Sequence, residues 1–341
     1  MDIAARAGVS EATVSRVLND KQVAEVTRER VLTAIDVLGY ERPARLRRKP
    51  AGLVGLVVPE LTNPVFPLFA QLIETSLVKH GYTPVLCTQT PGGVHEDDYI
   101  QMLLERGAAG IIFVSGIHAI TQTDTGRYTR LLGQGVPIVL VNGFQTDVTA
   151  PSLSQDDSVA VELAVRHLYQ LGHRRIGLAL GPRRYTPVSR RITAFERIAR
   201  RLIDLVPLVE CSQYSIEGGA SAGHALLDQR ATAIVCGSDL MALGAIRTAR
   251  LRGLRVPQDV SVVGSDDGLL AQFADPPLTT VRQDVAGMSA AAVRALLEEI
   301  TGTPSPRNEL LFPPELVVRQ STAAPGQAWP LSAVGPAAET A

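Results

Sequence analysis

The sequence predicts an α/β protein in which a small all-helical N-terminal domain precedes a body of two lobes, each built on a doubly wound parallel sheet. Three observations predict this. Residues 1–39 show helical periodicity and short turns. From Gly52 onward, short apolar runs alternate with helical stretches, which is typical of parallel sheets covered by helices on both faces. A basic segment bracketed by prolines, ERPARLRRKP (41–50), separates the two parts.

The N-terminal part contains three short helical stretches joined by turns. We expect Thr27 to cap the third helix and Gly39 to end it. The predicted buried faces are Ile3 and Ala7 in the first helix, Val14, Val17 and Leu18 in the second, and Val31, Ala34, Ile35 and Leu38 in the third. The side chains that the second helix then turns outward are Glu11, Ala12, Ser15 and Arg16.

The body contains more strand–helix units than one sheet readily accommodates, which favours two lobes. The predicted strands are 53–59, 83–87, 110–114, 137–141, 175–180, 231–236 and 260–264, and clear helices between them are 69–81, 157–172 and 239–253. In such an arrangement, ligands bind between the lobes, beyond the carboxyl ends of the strands.

Charge is unevenly distributed along the 341 residues. Residues 1–50 carry ten Lys and Arg against seven Asp and Glu, a net +3, whereas the rest carries 23 against 27, a net −4. A basic head on an acidic body predicts an anionic partner for the head alone. Three scattered cysteines, Cys87, Cys211 and Cys236, are expected to be reduced core thiols, and no spacing typical of a metal site occurs in the sequence.

Targeting signals are not recognisable in the sequence. There is no basic segment followed by an apolar stretch, and no apolar run reaches the ~20 residues of a membrane span. We therefore expect a cytoplasmic protein with no membrane partner and no cofactor. Residues 323–341, rich in Ala, Pro and Gly, are expected to form a disordered tail.

The segment AGVSEATVSRVLN (7–19) leaves two interpretations of the head open. The head could be a plain helical cap whose Ser, Thr and Asn side chains are merely solvated. Alternatively, the turn at Gly8 and Val9 is typical of a helix-turn-helix, and the exposed hydroxyls, Arg and Asn of its second helix suit phosphate and base-edge contacts. The basic segment that follows favours DNA binding.

The segment DIAARAGVSEATVSRVLN (2–19) closely resembles the first two helices of the lactose-repressor (LacI/GalR) family of transcription regulators. The resemblance continues in order through residue 320, in the motifs VTRERVLTAIDVLGY, GLVGLVVPELTNPVF, GHRRIGLALGP, SDLMALGAIR, DVSVVGSDD and PPLTTVRQD. It implies a helix-turn-helix domain (1–40), a hinge (41–51) and a periplasmic-binding-protein-like body (52–322). The lobes would comprise 52–153 with 285–312, and 155–282 with 313–322.

The resemblance also implies which residues contact DNA. The recognition helix would be Ser10–Leu18, with Arg16 as a bidentate partner for guanine, while Glu11 and Ala12 set the operator sequence. The residues expected to hold phosphates are Ser10, Thr13, Ser15 and Asn19.

The hinge departs from the family pattern because it is short and basic. Family members carry an Ala-rich helix there, with a Leu that wedges into the minor groove, and Leu46 is the candidate in this chain. Arg45, Arg47 and Arg48 could instead clamp phosphates, or the segment could be an ordinary solvated linker.

Eight residues match the family's effector-binding positions. An aromatic ring can cover the apolar face of a sugar, while Asp, Asn and Arg side chains bond its hydroxyls. The eight are Phe66, Asn142, Arg191, Tyr214, Ser238, Asp239, Asp266 and Gln283.

Other roles stay open for several of these positions. Phe66 and Tyr214 could be ordinary core residues, and Asp239 could be a helix N-cap. Arg191 could belong to a surface basic patch with Arg183, Arg184 and Arg190, or favour a phosphorylated sugar.

The resemblance implies a homodimeric regulator, a repressor in its simplest form, that binds a palindromic operator and responds to a sugar or related metabolite between its lobes. The dimer is expected to form mainly through the first lobe, with helix 66–80 as a candidate face.

Two other classes of function share features with this sequence. A periplasmic-type sugar carrier has a similar body, but the basic head and missing signal peptide disfavour it. A hydrolase could use Ser221 in GASAG (219–223), but no acid lies between Ser221 and the one histidine that follows it, His224. We therefore expect Ser221 to be a small helix residue that packs toward the sheet.

Overall fold

The computed structural model describes residues 2–19, 21–40, 51–89, 92–303 and 305–326. The chain splits into two compact units, Met1–Ala51 with His80–Thr83, and Gly52–Lys79 with Pro84–Ala341; the three helices of the first (residues 2–40) are called the head, and the chain from Gly52 the body. The predicted hinge segment 41–50 lies outside the described residues, so a hinge helix stays a prediction. The described residues include 323–326, the first part of the predicted tail. In this part the N–H of Ala323 donates to the Ser261 hydroxyl (3.0 Å).

The head is formed by three short helices, α1 (Asp2–Ala7), α2 (Glu11–Leu18) and α3 (Glu25–Val37). Gly8 adopts a φ of +63°, which allows the sharp turn between α1 and α2. Ser10 then caps α2, because its hydroxyl accepts a hydrogen bond from the Thr13 N–H at 3.2 Å. The predicted helix-turn-helix is confirmed, and its core contains Ala4, Ala7, Val14, Val17, Val31, Ala34 and Ile35.

The start of α3 differs from the sequence prediction. The Thr27 N–H donates to the Ala24 carbonyl at 2.9 Å, so Thr27 already lies within the first helical turn. Thr27 as N-cap was therefore wrong, and the N-cap residue is Ala24. The end of the helix is as predicted, with Gly39 at a φ of +72°.

The first lobe of the body is built on a sheet of six strands surrounded by helices. The strands are β1 (Gly52–Pro59), β2 (Tyr82–Gln89), β3 (Ala108–Val114), β4 (Ile138–Val141), β5 (Ser152–Gln155) and β11 (Glu309–Phe312). The helices are α4 (Val65–Lys79), α5 (Glu96–Glu105), α6 (Gly126–Gly133) and α11 (Val285–Ile300). The strand order is β11-β5-β4-β3-β1-β2.

The second lobe repeats this architecture. Its strands are β6 (Arg175–Leu180), β7 (Val206–Cys211), β8 (Ala233–Cys236), β9 (Ser261–Asp266), β10 (Thr279–Arg282) and β12 (Glu315–Val317). Its helices are α7 (Asp157–Gln170), α8 (Thr186–Ala199), α9 (Ile216–Asp228) and α10 (Asp239–Leu251). The order is β12-β10-β9-β8-β6-β7, with parallel pairing except that β12 runs antiparallel to β10. The predicted fold class, two doubly wound parallel lobes after a helical head, is confirmed.

Central strands are continuous apolar runs because helices cover both faces of each sheet. In β3, the side chains of Ile111, Ile112, Phe113 and Val114 are all fully buried, so the strand lacks the alternation of a half-exposed strand. Among the three cysteines, Cys87 and Cys236 lie in these cores and Cys211 is half-buried; none of the three forms a disulfide.

The chain crosses between the lobes three times, from β5 to α7, from β10 to α11 and from β11 to β12. Asp156 and Asp284 cap α7 and α11 directly after two of these crossings. Both lobes therefore present the carboxyl ends of their strands beside the crossover segments. No helix in the described part of the chain is long and apolar enough to span a bilayer.

Candidate functional site

The head presents the outer face of α2 to solvent. Glu11, Ala12, Ser15 and Arg16 are exposed, and the alternate residues Val14 and Val17 are buried in the head core. No described residue pairs with the Arg16 guanidinium through a hydrogen bond or an ion pair. This face therefore offers a cation, a hydroxyl and a methyl group to an external partner.

The other predicted DNA-contacting residues of the head lie at the two ends of α2. The hydroxyls of Ser10 and Thr13 are 2.9 Å apart at its N-terminus. At its C-terminus, the Asn19 amide donates to the Ser15 carbonyl at 2.8 Å and to the Ser15 hydroxyl at 3.3 Å. These bonds orient the polar groups that flank the recognition face. The four predicted hinge contacts, Arg45, Leu46, Arg47 and Arg48, lie outside the described residues.

The body contains a cleft between its two lobes, with a volume of about 830 Å³ including the open mouth. Most of its polar lining follows strand ends: Ser115 follows β3, Asn142 follows β4, and Asp266 ends β9. The full lining is Pro59, Glu60, Asn63, Val65, Phe66, Ser115, Ala119, Asn142, Gln155, Asp157, Tyr185, Pro187, Arg191, Tyr214, Gly237, Asp266 and Gln283.

Three of these strand-end residues adopt left-handed backbone conformations that are uncommon outside glycine. The φ angles are +48° for Ser115, +61° for Asn142 and +106° for Asp266. Such strain persists where the surrounding structure enforces it, and it concentrates at binding sites. In this protein, the three residues with left-handed backbone conformations contribute polar side chains from both lobes to the lining of the cleft.

Arg191 lines the cleft, and three of its N–H groups donate to protein acceptors. Its Nε donates to Asp157 Oδ1 at 2.9 Å, its Nη1 to the Gly237 carbonyl at 3.2 Å, and its Nη2 to Gln155 Oε1 at 3.5 Å. With 8% of its surface exposed, Arg191 is not part of a surface basic patch.

Asp266 contributes a buried carboxyl group to the lining of the cleft. Its burial and the nearby Asp239 carboxylate raise its pKa well above the ordinary value, while Arg191 and a hydrogen bond with Asn63 oppose that rise. Asn63 belongs to the first lobe and Asp266 to the second, so the pair links the two sides of the cleft. A second link joins Gln283 Nε2 to Asn142 Oδ1 at 3.0 Å.

Aromatic rings form the apolar walls. Tyr185 and Tyr214 of the second lobe have ring centroids 6.4 Å apart with planes inclined by 54°, and Phe66 lines the first lobe. Burial raises the pKa of Tyr214 to about 12, so its hydroxyl remains a neutral donor or acceptor. Rings beside hydroxyl-bonding groups suit a ligand with both apolar faces and polar edges.

The structure brings six of the eight predicted effector residues together in the cleft: Phe66, Asn142, Arg191, Tyr214, Asp266 and Gln283. Ser238 and Asp239 are not among its lining residues. The Ser238 hydroxyl caps α10 by accepting from the Met241 N–H (3.2 Å), and Asp239 accepts from the Thr280 hydroxyl (2.6 Å) and the Gly268 N–H (2.7 Å).

Sequence reasoning missed several lining residues. Ser115 directly follows a predicted strand, and that position was a usable signal. Gln155 ends a polar strand that apolar patterning does not reveal, and Asp157 resembles a helix-start residue. Tyr185 lies in a loop before α8, where no periodic pattern marks it.

The nucleophile alternative finds no support in the geometry of GASAG. Ser221 lies in the middle of α9 rather than at a strand-to-helix elbow, and its side chain is exposed. The expectation that it packs toward the sheet was wrong, because Ala222 and Gly223 occupy the buried face instead. Within the described residues, no group of three His, Cys, Asp or Glu side chains could hold a metal ion.

Two family descriptions match this chain. Residues 1–43 match bacterial regulatory proteins of the lacI family, and residues 165–322 match a periplasmic binding protein-like domain. The chain is also similar to the HTH-type transcriptional regulator reg1 of Streptomyces lividans, with 62% identity over 96% of this chain and 97% of that protein.

Solved structures resemble the chain over nearly its full length. One is the transcriptional regulator CelR in complex with cellobiose, with 30% identity, a TM-score of 0.71, and coverage of 94% of this chain and 98% of that one. Another is the lac repressor dimer bound to operator and the anti-inducer ONPF, with 29% identity, a TM-score of 0.71, and coverage of 95% and 98%. The chain belongs to the LacI family, and it is therefore a DNA-binding transcription regulator rather than an enzyme.

Proposed function

We propose that this regulator is a repressor that binds a palindromic operator as a homodimer and changes its operator affinity when a neutral saccharide occupies the interlobe cleft. Each head would read one half-site through the exposed face of α2. The lac repressor dimer on operator and the CelR–cellobiose complex support this assignment by similarity. Because its target is chromosomal DNA, we infer that it acts in the cytoplasm.

The composition of the cleft is the observation that carries the saccharide proposal. Aromatic rings from both lobes line the cleft together with amide, hydroxyl and carboxyl groups. Sugar rings present apolar C–H faces and a polar rim of hydroxyls, so they match both kinds of surface. The Asp266 carboxyl group can accept hydrogen bonds from the hydroxyls of a sugar.

A phosphorylated sugar is the rival ligand, and the charge of the cleft disfavours it. Glu60, Asp157 and Asp266 line the cleft, and Arg191 is the one cationic side chain among the lining residues described. Three of its N–H groups are already directed at Asp157, Gly237 and Gln155. A phosphate would therefore have to compete with Asp157 for Arg191, with no second cation among the described lining residues to pair with.

The dimer proposal is supported by two exposed apolar areas on the body. On the first lobe, Leu68 and Val78 of α4 and Leu86 of β2 are exposed. On the second lobe, Leu269, Leu270 and Phe273 are exposed on a short 3-10 helix, Leu269–Phe273. Apolar surface of this kind marks protein contacts, and the second area extends the candidate interface beyond helix 66–80.

The test has two steps. Duplexes bound by the full chain are selected from a random DNA pool near physiological salt and sequenced, and we expect one enriched motif with twofold symmetry. A panel of neutral mono- and disaccharides, with the matching sugar phosphates, is then screened for a change in the affinity for that duplex. No symmetric motif would refute the DNA assignment, and a response to sugar phosphates alone would refute the neutral-saccharide assignment.

A further inference from the structure

An ion pair joins the two lobes on one flank of the cleft. Arg190, on α8 of the second lobe, donates from Nη1 to Glu309 Oε1 at 2.7 Å and from Nη2 to Glu309 Oε2 at 2.8 Å. Glu309 begins β11 of the first lobe. Among the ion pairs of the described residues, this is the one that connects the lobes, and its two-point geometry is the strongest kind for Arg and a carboxylate.

A second ion pair, between Arg191 and Asp157, connects the Arg190–Glu309 pair to the lining of the cleft. Arg190 is next to Arg191 in the sequence, and Arg191 holds Asp157 at 2.9 Å. The charges of Arg190 and Glu309 both act on Asp157, with opposite sign. Glu309, Arg190, Asp157 and Arg191 thus form one alternating line of charge from the lobe boundary to the ligand-binding surface.

The surroundings make this pair stronger than an ordinary surface pair. The side-chain exposures are 30% for Arg190 and 13% for Glu309, whereas the Arg255 side chain in the Arg255–Asp259 pair of the second lobe is 72% exposed. Water and salt therefore screen the attraction between Arg190 and Glu309 less than that of the exposed pair. The two half-buried side chains also lose less conformational entropy when the ion pair forms.

A main-chain contact between the lobes forms only when the cleft is closed. The Thr121 N–H of the first lobe donates to the Arg184 carbonyl of the second at 2.7 Å, and the Thr121 hydroxyl donates to the same carbonyl at 2.9 Å. Ile120 and Tyr185 form an isolated β-bridge beside it. Opening the cleft would break these bonds and expose the Thr121 amide to solvent.

We propose that Arg190 and Glu309 form an interlobe latch that holds the cleft closed and positions Arg191 in its lining. Arg190 acts through its neighbours and does not line the cleft itself. A ligand that withdraws Arg191 or Asp157 from their present partners would change the alignment of the latch, so cleft occupancy and lobe closure are coupled through this line of charge.

Hydrogen exchange of the full-length protein tests the latch without DNA or saccharide. Within the segment 117–123, the Thr121 amide is expected to exchange roughly tenfold faster in Arg190→Gln, because its hydrogen bond to the Arg184 carbonyl depends on lobe closure. The amides of residues 117–120 are bonded within the first lobe and are expected to keep the parent rate. Amides of β6 are expected to keep the parent rate. Arg255→Gln removes an exposed pair within one lobe and serves as the matched control, with no change expected in 117–123.

Two more variants keep the result interpretable if Arg190→Gln is poorly folded. Glu309→Gln is expected to give the same faster exchange of the Thr121 amide, and Arg190→Lys, which keeps the positive charge near Asp157, is expected to give a smaller increase. Unchanged exchange in both Arg190→Gln and Glu309→Gln overturns the proposal. Faster exchange spread equally over β6 also overturns it, since that indicates general destabilisation. None of these outcomes depends on the proposed function.

Discussion

Arg16 is the single cation on the exposed face of α2, and it should carry much of the sequence discrimination by the head. Arg16→Ala is expected to weaken binding to the selected duplex by roughly tenfold to a hundredfold, the range for one bidentate Arg–guanine contact. Fluorescence anisotropy with the selected duplex and a scrambled duplex measures this. Arg255→Ala, on the body surface, is the control. Equal losses on both duplexes would mean that Arg16 contacts only phosphates.

Gly181, at the end of β6, allows the close approach of Tyr214 in the cleft. A Cβ added at Gly181 would overlap the Tyr214 ring atoms Cε2, Cδ2 and Cζ, so the ring would have to leave its place in the lining. Gly181→Ala is therefore expected to lower the affinity for the effective saccharide about tenfold, comparable to a lost aromatic contact, with unchanged saccharide-free operator binding. Calorimetric titration measures the first quantity.

Gly133→Ala is the matched control for that prediction, because a Cβ there meets no atom within 4 Å. It should behave like the parent protein in both assays. A Gly181→Ala variant with parent affinity would show that the Tyr214 ring is not part of the saccharide contact.

His118 makes the first lobe sensitive to acid. Its Nε2 lies 3.0 Å from the carbonyl of Val141, which precedes Asn142 of the cleft. Burial lowers its pKa to about 4. The folded pKa is thus below the unfolded value of 6.5, so the neutral ring stabilises the fold above pH 6.5 and this contribution is lost as the pH falls toward 4.

The expected loss from this one group at about pH 5 is roughly 2 kcal/mol relative to neutral pH. Urea unfolding at both pH values measures it. His118→Gln keeps an N–H donor but does not titrate, so its stability should fall less on acidification. Burial also lowers the pKa of His167 and His173 in the second lobe, and both proteins share that effect. An identical loss in parent and variant would contradict the assignment to His118.

At the scale of whole elements, the segment 319–323 ties two strands of the second lobe together. The buried Ser321 hydroxyl accepts from the Thr279 N–H on β10 at 2.8 Å and donates to the Val262 carbonyl on β9 at 2.6 Å. Ser321→Ala leaves both buried backbone groups without that partner. It is expected to reduce the free energy of unfolding by about 1–3 kcal/mol, measured by urea denaturation.

Ser221→Ala is the control for Ser321→Ala, because Ser221 is exposed on α9. Its unfolding free energy should stay within about 0.5 kcal/mol of the parent. If Ser321→Ala is equally neutral, the segment contributes through its backbone alone.

Elements with a strong apolar pattern could be predicted from the sequence, and the others could not. β6 was predicted at 175–180 and lies there, because its buried residues are apolar on both faces. β5 was missed, because Ser152, Ser154 and Gln155 are polar although the strand is fully buried between β4 and β11. Its burial follows from neighbours that are distant in sequence, which no local pattern contains.

The same limit applies to the candidate site. Asp266 and Asn142 could be located because they follow apolar strands, where the fold class places ligand groups. Family likeness alone could not show that the Ser238 hydroxyl and the Asp239 carboxylate are used inside the second lobe. The direction of a side chain depends on its partners, and those come from other elements.

At the scale of the whole molecule, the second-lobe apolar area makes the dimer proposal specific. Phe273 is 74% exposed, and Leu269 and Leu270 beside it are exposed as well. Phe273→Asp places a charge in that area, which would have to be desolvated in an interface, so we expect the dimer to dissociate at least tenfold more readily in sedimentation equilibrium. Operator affinity should fall with it, because a monomer reads only one half-site. Ile203→Asp changes an equally exposed residue (76%) that lies after α8, apart from both areas, and it should remain dimeric. A dimeric Phe273→Asp protein would confine the interface to the first lobe.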